Sequence, residues 1–365
     1  MIEKLKIQPL HAWLGPHERP AVIGGPCSAE SLEQVMNIAR QLTRIPEVRV
    51  MRAGIWKPRT RPSAFEGVGE KGLKWLQKVQ EEFGLKVTVE VARPAHVIQA
   101  LEHGIDILWI GARTTGNPFS IQELVEALQG VDIPVMVKNP LNPDLKLWLG
   151  ALERFNQAGI TKLAAVHRGF HCYDEGPYRN NPRWEIPIEL KRLVPGLPII
   201  CDPSHICGNR HMISEVSQKA LDLEMDGLMI ETHNDPDNAL TDSSQQIVPE
   251  ALENILRSLT IRIEKGNQEF SDKLEELRQQ IDRIDMQLVE VLGKRMNIVH
   301  EMGEYKRDHN ITILQIKRWR DIINSRLKIA EKHGLNRDFL LQLLQLVHNE
   351  SIRMQTDILN RKPRN

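Results

Sequence analysis

From residue 20 to about residue 265, short apolar runs alternate with amphipathic stretches. The runs are AVIGG (21–25), VRVMRAG (48–54), KVTVEV (86–91), DILWIG (106–111), PVMVKN (134–139), KLAAVHR (162–168), LPIICDPS (197–204) and GLMIETH (227–233). They are rich in β-branched residues and do not alternate with polar ones, the pattern of strands buried on both faces. Between them lie helical patterns such as SLEQVMNIARQLTR and KGLKWLQKVQEEFG. Eight strands, each followed by a helix, predict an α/β fold of the (β/α)8 barrel type. A doubly wound open sheet is the alternative, but it rarely supplies eight strands in strict alternation.

After residue 265 the strand pattern stops. EKGNQEFSD (264–272) is polar and reads as a linker. Leu274, Leu277, Ile281, Ile284, Leu288 and Val291 then recur at spacings of three and four, one apolar helix face. Two shorter helical stretches follow, 313–333 and 336–360, with Gly334 between them. The expected organisation is a barrel over 1–265, a linker over 266–272 and a small all-helical domain over 273–365. The long first helix has more apolar surface than one chain of that size covers, which predicts pairing with a second copy.

Composition narrows the partners. The 48 Lys and Arg balance 48 Asp and Glu, so nothing favours nucleic acid or an anionic membrane. No apolar run reaches the roughly 18 residues of a spanning helix, and the first residues lack the apolar core of a signal peptide. A cytoplasmic protein is expected. Its four cysteines, Cys27, Cys172, Cys201 and Cys207, are too few for a disulfide scaffold and are expected reduced.

In such barrels chemistry sits at the C-terminal ends of the strands. Five cations stand there: Arg52, Lys57, Arg113, Lys138 and Arg168. That much positive charge round one mouth is self-repelling unless a polyanion fills it. Arg suits bidentate phosphate or carboxylate binding, and Lys acts as a point charge. The competing reading is that individual members pair with acids at the rim. A second group is Cys27, His205, Glu231 and Asp242, a mixed S/N/O set suited to a divalent transition metal. Cys27 alone would read as a small core residue. Its place at a strand end beside three other ligand types favours the metal.

The motifs GPCSAES, RAGIWKPRTRPSAFEG, IGART, VKNP, VHRG, CDPSHICG and IETHNDPDNALTDSSQQ resemble the type I 3-deoxy-D-arabino-heptulosonate 7-phosphate (DAHP) synthases, beta subgroup. The resemblance implies condensation of phosphoenolpyruvate with erythrose 4-phosphate, the first step of the shikimate pathway. It implies a phosphoenolpyruvate site at Arg52, Lys57, Arg113, Lys138 and Arg168, with Lys57 and Lys138 as catalytic groups. It places erythrose 4-phosphate at Arg59 and Thr60, and one divalent metal, Mn²⁺ or similar, on Cys27, His205, Glu231 and Asp242. The sister octulosonate-phosphate synthases usually read KANRS where this chain reads Lys57-Pro58-Arg59-Thr60, which favours the four-carbon sugar.

In the helical part, Arg278 and Arg295 lie 17 positions apart on one helical pattern, about 25 Å at the helical rise. No small ligand on one chain touches both; two chains packed through that helix bring them together. Arg295 and Lys306 share a face, as do Ser351 and Gln355 at i and i+4. The stretches LRQQIDRIDMQLVEVLGKRMNIVHEMGEYK and LLQLVHNESIRMQ resemble the all-helical chorismate mutases, which are intertwined dimers. That resemblance implies conversion of chorismate to prephenate, with Arg278 of a second chain, Arg295, Arg318 and Ser351 binding substrate. Lys306 and Gln355 would bond the ether oxygen as negative charge develops, with Arg295, Lys306 and Gln355 as the catalytic set. Gln315 and Trp319 depart from the usual Asp and Glu near Arg318, the Glu being the usual contact for the substrate hydroxyl. A low-activity sensor or dimerisation module is the alternative for this domain, and feedback by prephenate on the barrel is the regulatory expectation.

Overall fold

A computed structural model describes residues 5–57, 65–173, 176–262 and 268–360. The chain forms two compact units, residues 1–262 and 263–365.

In the first unit eight parallel strands close into a barrel: β1 Ala21–Gly25, β2 Val48–Arg52, β3 Lys86–Val91, β4 Ile107–Ile110, β5 Val135–Lys138, β6 Leu163–His167, β7 Ile199–Cys201 and β8 Gly227–Glu231. Closure pairs Ala21 with Gly227 and Gly25 with Glu231. Each run predicted from sequence is one of these strands; β1 and β3 match their runs end to end, and the others are trimmed by one to three residues at one or both ends. Among the connecting segments are the helices α1 His11–Leu14, α2 Leu32–Leu42, α3 Glu70–Phe83, α4 Pro94–Glu102, α5 Ala112–Thr115 and α6 Pro118–Ala127. They continue with α7 Leu145–Gln157, α8 Glu185–Leu193, α9 Pro203–Cys207, α10 Ile213–Asp222 and α11 Pro249–Ser258.

The strands are apolar throughout because both faces are covered. Ile23, Val50, Trp109, Met136, Val166, Ile200 and Met229 fill the barrel interior. Val22, Met51, Leu108, Val137, Ala165 and Leu228 face outward beneath the helices. The short helix α1 was not evident from sequence. Its Trp13 and Leu14, with Leu10 before it, join the interior cluster and plug the barrel at the strands' N-terminal end. That end is closed by packing, so the opposite end is left for chemistry.

Among its described residues the second unit holds three helices: α12 Gln268–Asp308, α13 Ile316–Lys332 and α14 Arg337–Leu359. Helix α12 begins inside the expected linker, so residues 268–272 are helical; polar side chains at i and i+4, such as Gln268 bonded to Asp272 at 2.8 Å, extend a helix without burying it. Val299, Leu327, Ala330 and Ile358 are buried in the unit. Gly303 allows α12 to approach α14 closely, since a Cβ there would lie 2.8 Å from Ile358 Cδ1. The apolar face at Leu277, Ile281, Ile284, Leu288 and Val291 is exposed in the single chain, Ile284 to 62%.

Candidate active sites

The barrel site is assembled from strand ends that lie far apart in sequence. At the end of β1, Gly25 takes a φ of +139°, and a Cβ there would meet Arg52 O at 2.1 Å. Only glycine lets β1 and β2 lie so close. The chain then turns so that Cys27, 1% exposed, points into the mouth, with its amide donating to Gln246 Oε1 at 2.9 Å. Its Sγ lies 3.3 Å from Asp242 Oδ2 and 3.3 Å from Lys57 Nζ. Ligand atoms of Cys27, Glu231 and Asp242 all fall within 4.8 Å of one another.

His205 stands beside this trio on α9. Asp202 caps that helix by accepting from the His205 amide, and its carboxylate also meets His205 Nδ1 at 2.8 Å. Burial, against the opposing pull of Asp202, lowers the imidazole pKa. The neutral ring therefore carries its proton on Nδ1 and leaves the Nε2 lone pair 3.8 Å from Glu231 Oε1. Burial alone would raise the Glu231 and Asp242 pKa values, but the positive charge that His205 carries when protonated, with Arg52 and Arg179, holds both below the ordinary range. The Cys27 thiol, by contrast, is pushed up to about 12 by burial and by Glu231.

The donor set fits a divalent metal on two observations. Sulfur and carboxylate oxygens of Cys27, Glu231 and Asp242 gather within 4.8 Å of one another with His205 Nε2 3.8 Å from Glu231 Oε1, and that buried oxygen, ion-paired with Arg52 at 3.0 Å, accepts no hydrogen bond.

The cations gather beside it. Arg52, 1% exposed, lies 3.0 Å from Glu231 and stacks over the Trp109 ring at 5.0 Å. Its Nε and Nη1 are buried with no hydrogen-bond partner. Lys138 sits over the same ring at 5.9 Å and donates to Asp202 at 2.7 Å. Burial lowers its pKa in spite of that partner. Arg168 is pulled down to about 10, first by burial and then by the positive charges of Arg179 and Arg113 around it. Arg113 is exposed in the first turn of α5. The rim-pairing alternative thus holds in part: Arg52 and Lys138 have acidic partners, yet Arg52 keeps donors to spare. Arg59 and Thr60 lie outside the described residues.

Sequence reading assigned no role to several residues. Glu90 accepts from Trp109 Nε1 at 3.3 Å, and Gly111 gives it room; it was legible as an acid inside the apolar run KVTVEV. Asp202 joins Lys138 to His205 and was marked by its place three residues before the histidine. Arg179, Asn180 and Gln245 carried no such mark.

In the helical unit, Arg295 donates to Ser351 Oγ at 2.8 Å across α12 and α14. Lys306 is buried and donates to Ile313 O at 2.7 Å; burial lowers its pKa. Gln355 is buried, and its Oε1 has no partner. These four residues line the α12–α14 contact. Arg278 and Arg318 are exposed, and Arg278 stands 17 residues up α12 from Arg295. Trp319 stacks face to face on His348, with centroids 3.8 Å apart.

Comparison with known proteins now decides the family. Residues 4–265 match the DAHP synthetase I family, and residues 277–356 match chorismate mutase type II. The chain belongs to the DAHP synthetase I family. A phospho-2-dehydro-3-deoxyheptonate aldolase of Thermotoga maritima is 30% identical over 238 residues, covering 65% of this chain and 68% of the relative. The crystal structure of the DAHP synthase of that organism superposes with a TM-score of 0.59 at 29% identity, over 65% of this chain and 67% of that one. A 2-dehydro-3-deoxyphosphooctonate aldolase of Wolinella succinogenes is 26% identical, over 65% of this chain and 97% of the relative. This protein is thus a DAHP synthase domain followed by a chorismate mutase domain, and no helix among the described residues is long and apolar enough to cross a membrane.

Proposed function

We propose that the barrel condenses phosphoenolpyruvate with erythrose 4-phosphate and that the helical domain converts chorismate to prephenate. The observation that carries the first reading is Arg52: a buried guanidinium with two unpartnered donors, in a mouth shared with Lys138, Lys57 and Arg168. A buried donor left unpaired costs roughly 1–3 kcal/mol, more when charged, so the site is built for an anion that supplies acceptors. Phosphoenolpyruvate supplies both a phosphate and a carboxylate, and each takes part of the cation ring.

Cys27, His205, Glu231 and Asp242 would hold the divalent metal, which when bound acts as a Lewis acid toward the aldehyde oxygen. The protein's own groups do the rest. The cations fix phosphoenolpyruvate so that its C3 faces the aldehyde. As the new carbon–carbon bond forms, positive charge develops at C2; water adds there, and phosphate then leaves. Lys138, hydrogen-bonded to Asp202, and Lys57, against Cys27, are the groups placed to move protons at these steps. In the mutase site, Lys306 and Gln355 stabilise the ether oxygen during a rearrangement with no covalent step. The exposed apolar face of α12 and the distance from Arg278 to Arg295 support a dimer through this domain.

Product formation with erythrose 4-phosphate against arabinose 5-phosphate tests the substrate assignment. A preference for the five-carbon sugar would overturn it. Chelation should abolish the synthase reaction and Mn²⁺ restore it. A folded Cys27→Ala chain should bind no Mn²⁺, and full EDTA-sensitive activity in that variant would falsify the ligand assignment.

A further inference from the structure

In the described stretch ahead of α8, Arg179 meets the proposed ligands. Arg179 Nη1 donates to Asp242 Oδ1 at 3.0 Å and to Gln245 Oε1 at 2.7 Å. Gln245, fully buried, passes the contact on: its Nε2 donates to Glu231 Oε2 at 2.6 Å. One guanidinium thus reaches two carboxylate ligands, one directly and one through an amide.

The backbone around Arg179 is anchored to the element that carries the third ligand. The Arg179 and Asn180 amides donate to Cys207 O and Ile206 O of α9, and Asn180 Nδ2 donates to His205 O at 2.6 Å. Gly208, with φ +66°, ends α9; a Cβ there would come within 2.4 Å of Arg179 Cβ. The helix therefore ends in a glycine where the arginine stem must pass. Asn180 Oδ1 meanwhile accepts from Arg168 at 2.6 Å, which fixes this segment at its other side.

We propose that Arg179 is a positioning residue of the metal site: it sets the orientation of Asp242 directly and of Glu231 through Gln245, without touching the metal. The inference rests on the reading of Cys27, His205, Glu231 and Asp242 as the ligands. Carboxylates that face a cation with a free rotor otherwise swing among rotamers; a charged donor on Asp242, relayed through Gln245 to Glu231, removes that freedom before the metal arrives. Lysine keeps the charge but lacks the planar guanidinium that holds Nη1 against both Asp242 and Gln245 in a fixed geometry.

The test is calorimetric titration of Mn²⁺ alone into full-length, metal-stripped protein, with thermal unfolding of each stripped variant as the check on folding. Arg179→Ala should bind Mn²⁺ about 10–100-fold more weakly than the parent, and Arg179→Lys should fall between them. Arg210→Ala is the control, since Arg210 lies on the same rim but pairs with Asp237 and Ser243 O; it should bind as the parent does. Equal Mn²⁺ affinity in the parent and in folded Arg179→Ala would overturn the proposal and leave the ligand assignment standing. So would a raised KM for phosphoenolpyruvate in Arg179→Ala with Mn²⁺ affinity unchanged, because Arg179 would then be a substrate contact. A parent that binds no Mn²⁺ at all would overturn both readings.

Discussion

At the scale of single residues, burial decides chemistry. Cys27 keeps its proton up to about 12, whereas His205 is held neutral below its usual value. A metal must displace the thiol proton but finds the imidazole already bare. Between pH 7 and 9 the apparent Mn²⁺ affinity should therefore rise about tenfold per pH unit, with one proton released per metal; calorimetry in buffers of different ionisation enthalpy measures that proton. A slope near zero would mean that the thiolate is already formed. Arg52 makes a second prediction. Arg52→Lys keeps the charge near Glu231 but removes the spare donors, so kcat/KM for phosphoenolpyruvate should fall about 100-fold, the worth of 2–3 kcal/mol. These roles were partly legible in sequence. A thiol, an imidazole and two carboxylates at strand ends are unusual enough to be noticed, and so are five cations. Arg179 and Gln245 were not, because an arginine or glutamine in a loop is ordinary until its partners are known.

At the scale of elements, the strands were readable because a parallel strand covered on both faces leaves a continuous apolar run. The helix α1 was not, because four residues carry no period. Its role as a plug depends on where the barrel interior ends. Helix α12 shows the converse. Its apolar stripe was plain in the sequence, and in the single chain that stripe is exposed. If two copies cover it and share sites, variants at its two ends should complement. Arg278→Ala and Arg295→Ala chains should each lack mutase activity alone. Mixed and refolded one to one, half the dimers are hybrid and each hybrid has one intact site, so about a quarter of the parent activity should return. No recovery, with hybrid dimers confirmed by mass spectrometry, would refute shared sites.

At the scale of the whole molecule, a synthase domain and a mutase domain on one chain make the product of one a candidate effector of the other. Prephenate should inhibit the synthase reaction of the parent, and Arg295→Ala should remove that inhibition while leaving the uninhibited rate within about twofold. Equal inhibition of both would place the effector site elsewhere. Cutting the chain at about residue 265 should have the same effect as Arg295→Ala. The sequence by itself determined the strand count, the presence of a helical part after the strands and the residue types at each strand end. Those follow from local periodicity and from the rule that barrel chemistry sits at one end. The tertiary structure decided which of those residues meet. Cys27 and Asp242 are 215 positions apart yet Cys27 Sγ lies 3.3 Å from Asp242 Oδ2, and Arg52 shares its charge with Glu231 while keeping two donors unspent. Distances of that kind are set by barrel closure and strand register, which bring the two ends of the chain's β-sheet together, and no local pattern in the sequence encodes them.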